Sequence, residues 1–409
     1  MNLYAHIRGL LTVARFEHPT GAAGAVPRLH RMTAAIGLHR FQVSRLLERD
    51  ANNLDLIRLI CSGLVIYGHA FVVVPDPAWP AASWDPLMHL RYDGVYSASV
   101  AVKVFFFISG LLVTNSLLVR KSVSHYVIGR VFRIWPALTV VLLATAFVIG
   151  PGQTSLDPGD YFSRHLVYRY VAGNLLMWMP VHLPGVFEGN PLPALVNASL
   201  WTLSFEVAAY LALLLLAVLG VLRSRTLCGL LLLLLVADLL LPHPVVLRWL
   251  GSNPQCTYLP PCFALGAFVA IGKDRLFVSP GIALISFAAF WALRGTAGGP
   301  LLFFVSLFIT LLYVSGLPWL RKIRLKSDIS YGTFLWGFVI QQMVAGKFHD
   351  RGLPFTLGAS LAVALCMGFL SWHLVEKPAI RLGRRLAERW TGSHPIATSA
   401  EAQTTDLTP

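Results

Sequence analysis

Arg58 and His69 stand eleven residues apart in one apolar run, LDLIRLICSGLVIYGHAFVVV, residues 54–74. Eleven helical steps of about 100° return to within about 20° of the starting face, so both side chains look into one space, about 16 Å apart along the axis. A guanidinium offers a rigid fork of donors to a carboxylate or phosphate, and an imidazole is a base near neutral pH. The run is long enough to cross a bilayer, where ionisable groups are costly and are kept for a task. Arg130 and Arg133, three apart in RVFRIWP, share a face at the start of another apolar run. Arg58 enters its own helix from the same side, so the three arginines are expected at one depth as an anion site for phosphates. Glu206, in SLWTLSFEVAAYL, and His69 each lie near the opposite end of their helices, roughly 7–8 Å into the membrane. A carboxylate at that depth would fix the tautomer of the imidazole and raise its basicity.

A phosphate-binding mouth at one end and a base at the other suit a ligand with a polyphosphate head and a long, thin reactive arm. Coenzyme A has that form, with its thioester at the tip of the pantetheine arm. A proton-coupled transporter with an Arg–His–Glu relay would show the same residues, so spacing alone leaves two classes open. His89 and Asp93 match the H-x-x-x-D pattern of soluble acyltransferases that use coenzyme A, but they fall in a loop, where chance is the better explanation. There is no Ser-centred nucleophile elbow. The five cysteines form no C-x-x-C pair, and no metal site is implied.

The elements that must carry these side chains follow from composition. The 409-residue chain is 56% hydrophobic and 13% charged, with a mean hydropathy of +0.65, which excludes an ordinary soluble domain. Apolar runs recur at about 100–118, 134–150, 203–222, 226–241, 257–272, 279–293, 299–317, 329–347 and 355–375 after the opening one. The expected fold is an all-α integral membrane protein of about ten transmembrane helices with both termini cytoplasmic. The net charge of +14 fits that fold better than it fits nucleic acid, because Lys and Arg cluster about three to one in the segments this topology places inside. Two long segments, 75–99 and 151–202, are then extracytoplasmic, and loops of such length often form lids or binding surfaces. Residues 1–53 read as a cytoplasmic extension, partly disordered or amphipathic and without a signal-peptide pattern; 54–378 as the transmembrane domain; and 379–409 as a basic, then polar, cytoplasmic tail.

The same segments resemble, in order, the acyltransferase 3 family of bacterial membrane O-acyltransferases, which includes O-antigen acetylases. LDLIR with its distant histidine is followed by VFFFISGLLV at 104–113, RVFRIWPAL at 130–138, SLWTLSFEVAAYL at 199–211, ISYGTFLW at 329–336 and SWHLVEKP at 371–378. The resemblance covers about residues 54–385 and implies a multi-pass enzyme of the bacterial inner membrane. It would move a short acyl group, acetyl above all, from acyl-CoA to a hydroxyl of a cell-surface or secreted carbohydrate; a macrolide-type acceptor is the alternative. It further implies that Arg58 and His69 are essential, with His69 as base, that Arg130 and Arg133 serve the donor site, and that Ser109 and Gly110 supply polar lining or a close helix approach. Glu206 matches an acidic family position. Gly337 stands where relatives often have a histidine, so any role of that histidine is void here. No permanently bound cofactor is expected; acetyl-CoA or another acyl-CoA is the donor substrate, and the partners are the carbohydrate and membrane lipid.

Overall fold

The computed structural model describes residues 40–391, apart from 49, 242–244, 246 and 248–253. Helices account for nearly all of its regular structure. Helix α1, Leu54–Val73, is capped by Asn53, whose side chain accepts from the Leu56 N–H and donates to the carbonyls of Leu320 and Ile323. One residue thus satisfies an orphan donor of the helix and ties its entry to a distant segment. Helix α2, Ser97–Arg120, begins where the Asp85 carboxylate accepts from both the N–H and the hydroxyl of Ser97. Helix α3, Val123–Ala144, is capped by Ser122 and carries Pro136. Helix α4, His165–Leu175, lies in the long segment before α5, Trp201–Val218.

Then come α6 Arg225–Leu240, α7 Leu259–Gly272, α8 Pro280–Leu293, α9 Gly299–Ser315, α10 Ser330–Phe348, α11 Gly352–Ser371 and α12 Lys377–Thr391. The single sheet among the described residues pairs β1, Phe41–Gln42, with β2, Phe277–Val278, in antiparallel register. It docks part of the expected N-terminal extension onto the bundle; residues 1–39 of that extension lie outside the described residues, as does most of the expected tail.

Packing is organised by glycines. A Cβ on Gly110 would sit 2.1 Å from the Phe263 carbonyl oxygen, and one on Gly266 would sit 2.1 Å from that of Phe107. The α2 and α7 backbones therefore touch through reciprocal glycines, the small-residue device that lets membrane helices close up. Helix α10 runs through the middle, buried along almost its whole length between α1 and α11. Outer faces stay apolar: Leu211, Leu215, Leu233, Leu284 and Ile285 are all largely exposed, as lipid-facing side chains must be. Cys256 and Cys262 remain free thiols.

The chain is an all-α, multi-pass membrane protein, but the expected count of about ten spans does not stand. Six helical stretches among the described residues are long and apolar enough: Leu54–Val73, Ser97–Arg120, Val123–Gln153, Ala198–Val218, Gln255–Gly272 and Ser330–Trp390. Two causes explain the difference. Helices α6, α8 and α9 have 16, 14 and 17 residues, short of the about 20 needed to cross the hydrocarbon core. The runs at 329–347 and 355–375 are the helices α10 and α11, which a short turn at His349–Arg351 joins within the single stretch Ser330–Trp390. The chain ends lie outside the described residues, so the expected placement of both termini has no structural counterpart.

Candidate active site

At one end of the bundle, the start of α1, the middle of α3 and the segment before α10 converge on a half-buried ion cluster. Asp328 Oδ2 accepts from Arg58 Nη1 at 3.0 Å and from Arg133 Nη2 at 2.8 Å. Arg133 Nη1 also donates to Glu376 Oε2 at 2.8 Å, and Asp55 lies 3.6 Å from Arg58. Ser330 and Ser371 donate to the remaining carboxylate oxygens of Asp328 and Glu376. Glu376 reaches inward because residues Trp372–Glu376 form a wide π turn, a device that re-aims side chains and recurs at functional sites. Gly332 makes room for it, since a Cβ there would meet Glu376 Oε1 at 2.9 Å. Burial alone would raise the Asp328 carboxyl, but the Arg58 and Arg133 guanidiniums outweigh it and hold the group well below the usual carboxylate range.

Arg130 departs from the expected trio. Although three residues from Arg133, its guanidinium lies 5.7 Å from the Tyr210 ring and lines a separate basic recess with Arg120, His125 and Arg384. Among the described residues it makes no ion pair within 4 Å. Arg58 and Arg133 are brought together through a shared carboxylate, and Arg130 is not.

Above the ion cluster, Arg58, Phe106, Ser109, Glu206 and Tyr331 line one pocket. A second pocket, toward the other end of the bundle, is lined by His69, Ser99, Trp201 and Ser199. The two share Val102, Thr202 and Phe334 as walls, so they meet end to end along α1 with Arg58 in one and His69 in the other. The far wall is held by polar anchors. Asn197 donates to the Leu335 carbonyl at 2.9 Å, and Gln342 donates to the carbonyls of Leu192 and Leu195. These bonds fix the long segment that leads into Trp201 against the central helix α10.

The structure does not join Glu206 to His69. The Tyr210 hydroxyl donates to Glu206, and Ser109 lies 3.4 Å from the same carboxylate oxygen, all on the Arg58 side. His69 instead sets its ring edge-on to Phe338, centroids 5.3 Å apart, and its buried Nδ1 has no hydrogen-bond partner among the described residues. Equal depth in two helices fixes height but not direction, and the two side chains diverge. Ser109 and Gly110 divide the two expected functions: the serine lines the pocket, and the glycine makes the close helix approach.

Sequence reasoning missed Asp328, Glu376, Tyr210 and Ser99. The first two had a usable signal. The chain has only 19 acidic residues, and these two flank apolar runs at the ends where Arg58 and Arg133 were already placed. Among the described residues no cluster of His, Cys, Asp and Glu could hold a metal ion.

Residues 51–372 match a family described as an acyltransferase domain, well over half of the chain. Curated relatives span nearly their full lengths in the comparison. An O-acetyl transferase of Shigella phage Sf6 is 25% identical over 362 residues, covering 80% of this chain and 95% of that protein. Nodulation protein 10 of Rhizobium leguminosarum bv. viciae is 26% identical over 367 residues, 83% of this chain and 95% of the relative. The exopolysaccharide production protein ExoZ of Rhizobium meliloti (strain 1021) is 27% identical over 308 residues, 70% and 90% of the two chains. No solved structure matches.

Proposed function

Since the chain belongs to this acyltransferase domain family, we propose that it is an O-acetyltransferase that acylates a hydroxyl of a polysaccharide-type carbohydrate, with acyl-CoA as donor. The single observation that carries the reading is the pair of pockets that meet between Arg58 and His69. A donor entering from the ion-cluster end would lay its thin arm through the Arg58 pocket and bring its thioester to the Val102–Thr202–Phe334 junction. The acceptor hydroxyl would enter the His69 pocket from the end where the long loops lie. His69 then takes the hydroxyl proton as the oxygen attacks the thioester carbonyl, the carbon–sulfur bond breaks, and the thiolate recovers the proton. A carbohydrate acceptor is supported by the relative named for exopolysaccharide production, and acetyl transfer by the one named an O-acetyl transferase.

Two roles change from the sequence reading. With Arg58 and Arg133 tied to carboxylates, Arg130 is the guanidinium of the three best placed to take a donor phosphate. Glu206, bound by Tyr210 beside Ser109, serves the donor-arm half and does not orient the base. The transporter reading loses its relay for the same reason. Thioester consumption by the purified protein with a carbohydrate acceptor tests the proposal. His69→Ala, inserted normally in the membrane, is expected to lose about 10²–10⁴-fold in kcat, the range for a missing general base. Full activity in that variant would end the proposal.

A further inference from the structure

Lys103 is an ammonium sealed inside α2, 1% exposed, and among the described residues it has no carboxylate within 4 Å. Its Nζ donates to Ser99 Oγ at 2.5 Å and lies 3.4 Å from the Gly94 carbonyl oxygen. The rings of Phe304 and Tyr258 stand 5.6 and 6.0 Å away. Asp85, the buried carboxylate at the start of the same helix, accepts from Ser97 and from the Leu87 N–H. A buried cation without a counter-ion is costly, and inside a membrane protein it points to a task.

One helical turn before Lys103, Ser99 lines the His69 pocket. The two helices are in contact there, since a Cβ on Gly68 would come within 2.6 Å of the Ala98 nitrogen. His69 and Ser99 therefore face one cavity from adjacent helices, each next to the point of closest approach.

Resting on the reading of that cavity as the transfer site, we propose that Ser99 donates a hydrogen bond to the acyl oxygen as it becomes an oxyanion, with Lys103 as the positioning residue behind it. In the structure the Ser99 hydroxyl donates to the Gly94 carbonyl at 2.6 Å. Turning that hydroxyl into the cavity would strand a carbonyl, at the cost of an unmade hydrogen bond. Lys103 removes the obstacle, because its ammonium already reaches both oxygens and can take over Gly94 alone. Its charge, kept from water, also favours negative charge in the cavity. As the acceptor oxygen bonds to the acyl carbon, the carbonyl π pair moves to the acyl oxygen and the proton goes to His69. When that pair returns, the carbon–sulfur bond breaks and the thiolate leaves. Ser99 and Lys103 exchange no proton in either step.

The test uses the full chain in lipid nanodiscs, with acetyl-CoA as donor and a hydrolysate of bacterial exopolysaccharide as acceptor probe. Ser99→Ala is expected to lower kcat about 10²-fold while the KM for acetyl-CoA stays within about threefold, the signature of a lost oxyanion donor. Lys103→Met should fall similarly, and the double variant should be no worse than about threefold below the poorer single, because the two act as a unit. Ser99→Thr, which restores the hydroxyl, should recover most of the rate. If Ser99→Ala stays within about twofold of the parent while His69→Ala is inactive, the inference is overturned and the transfer site survives. If His69→Ala is itself fully active, the site and the inference fall together. Should Lys103→Met fail to insert, Ser99→Ala, which removes only a hydroxyl, decides alone.

Discussion

The two ends of the pocket pair handle charge in opposite ways. At the Arg58 end each guanidinium of the cluster finds a carboxylate, and Asp328 and Glu376 are each held further by a serine. At the His69 end, among the described residues, an imidazole nitrogen is left unpaired and a buried lysine faces only neutral partners. In a low-dielectric interior the first arrangement fixes geometry and the second keeps electrostatic capacity in reserve. The paired end should therefore govern whether the bundle holds together, and the unpaired end should govern rate.

Removing the keystone of the paired end is the strongest way to break this division. Asp328→Ala leaves Arg58 and Arg133 facing each other with one carboxylate fewer, a change expected to cost about 3–5 kcal/mol of stability. Unfolding of the detergent-solubilised protein, followed against temperature or denaturant, measures it. Acid adds a second signature. The folded-state pKa of Asp328 is depressed, so its contribution is fully present above the unfolded value of about 3.9 and is lost as pH falls through the folded one. Parent stability should thus decline below about pH 4, and the variant should show a shallower decline over the same range. Equal acid sensitivity in both would show that the cluster does not carry the stability assigned to it.

A smaller effect probes where the two ends are coupled through packing. Gly68 sits beside His69 with no space for a methyl group against Ala98. Gly68→Ala should push α1 from α2 and cost about 1–3 kcal/mol, typical of overpacking. Unlike Asp328→Ala, it should lower kcat even at temperatures where the protein is fully folded, because it shifts His69 relative to Ser99. A variant that is destabilised yet fully active when folded would mean the cavity tolerates that shift.

How much of this was readable beforehand depends on the kind of information each feature needs. Periodicity and length gave the helical membrane fold, and helix geometry aligned Arg58 with His69, because both follow from one continuous segment. The span count failed where runs were short, as in Pro280–Leu293, and where two runs join through the short turn at His349–Arg351 within one stretch. Partners across helices were less legible. Asp328 lies in a basic loop and Glu376 is turned inward by a π turn, and neither position has a period to read. Lys103 shows in the sequence only as a charge within an apolar run, whereas in the fold it is buried with its ammonium on Ser99 and near the rings of Tyr258 and Phe304.

Glu206 sharpens the comparison most finely, because sequence and structure assign it to different ends. Equal depth pairs it with His69, while in the fold it meets Tyr210 and Ser109 on the Arg58 side. Glu206→Gln keeps the shape and removes the charge. If the carboxylate supported the base, its loss would move the acidic limb of the rate profile in kcat/KM, which reports the base in the free enzyme. With no contact between them, that limb should stay where it is in the parent. The donor-side position instead predicts a KM for acyl-CoA raised by a few fold, about 1 kcal/mol, as the charge-assisted hydrogen bond from Tyr210 becomes a weaker neutral one, with kcat nearly unchanged. A moved acidic limb would draw Glu206 back to the base and erase the charge asymmetry between the two ends.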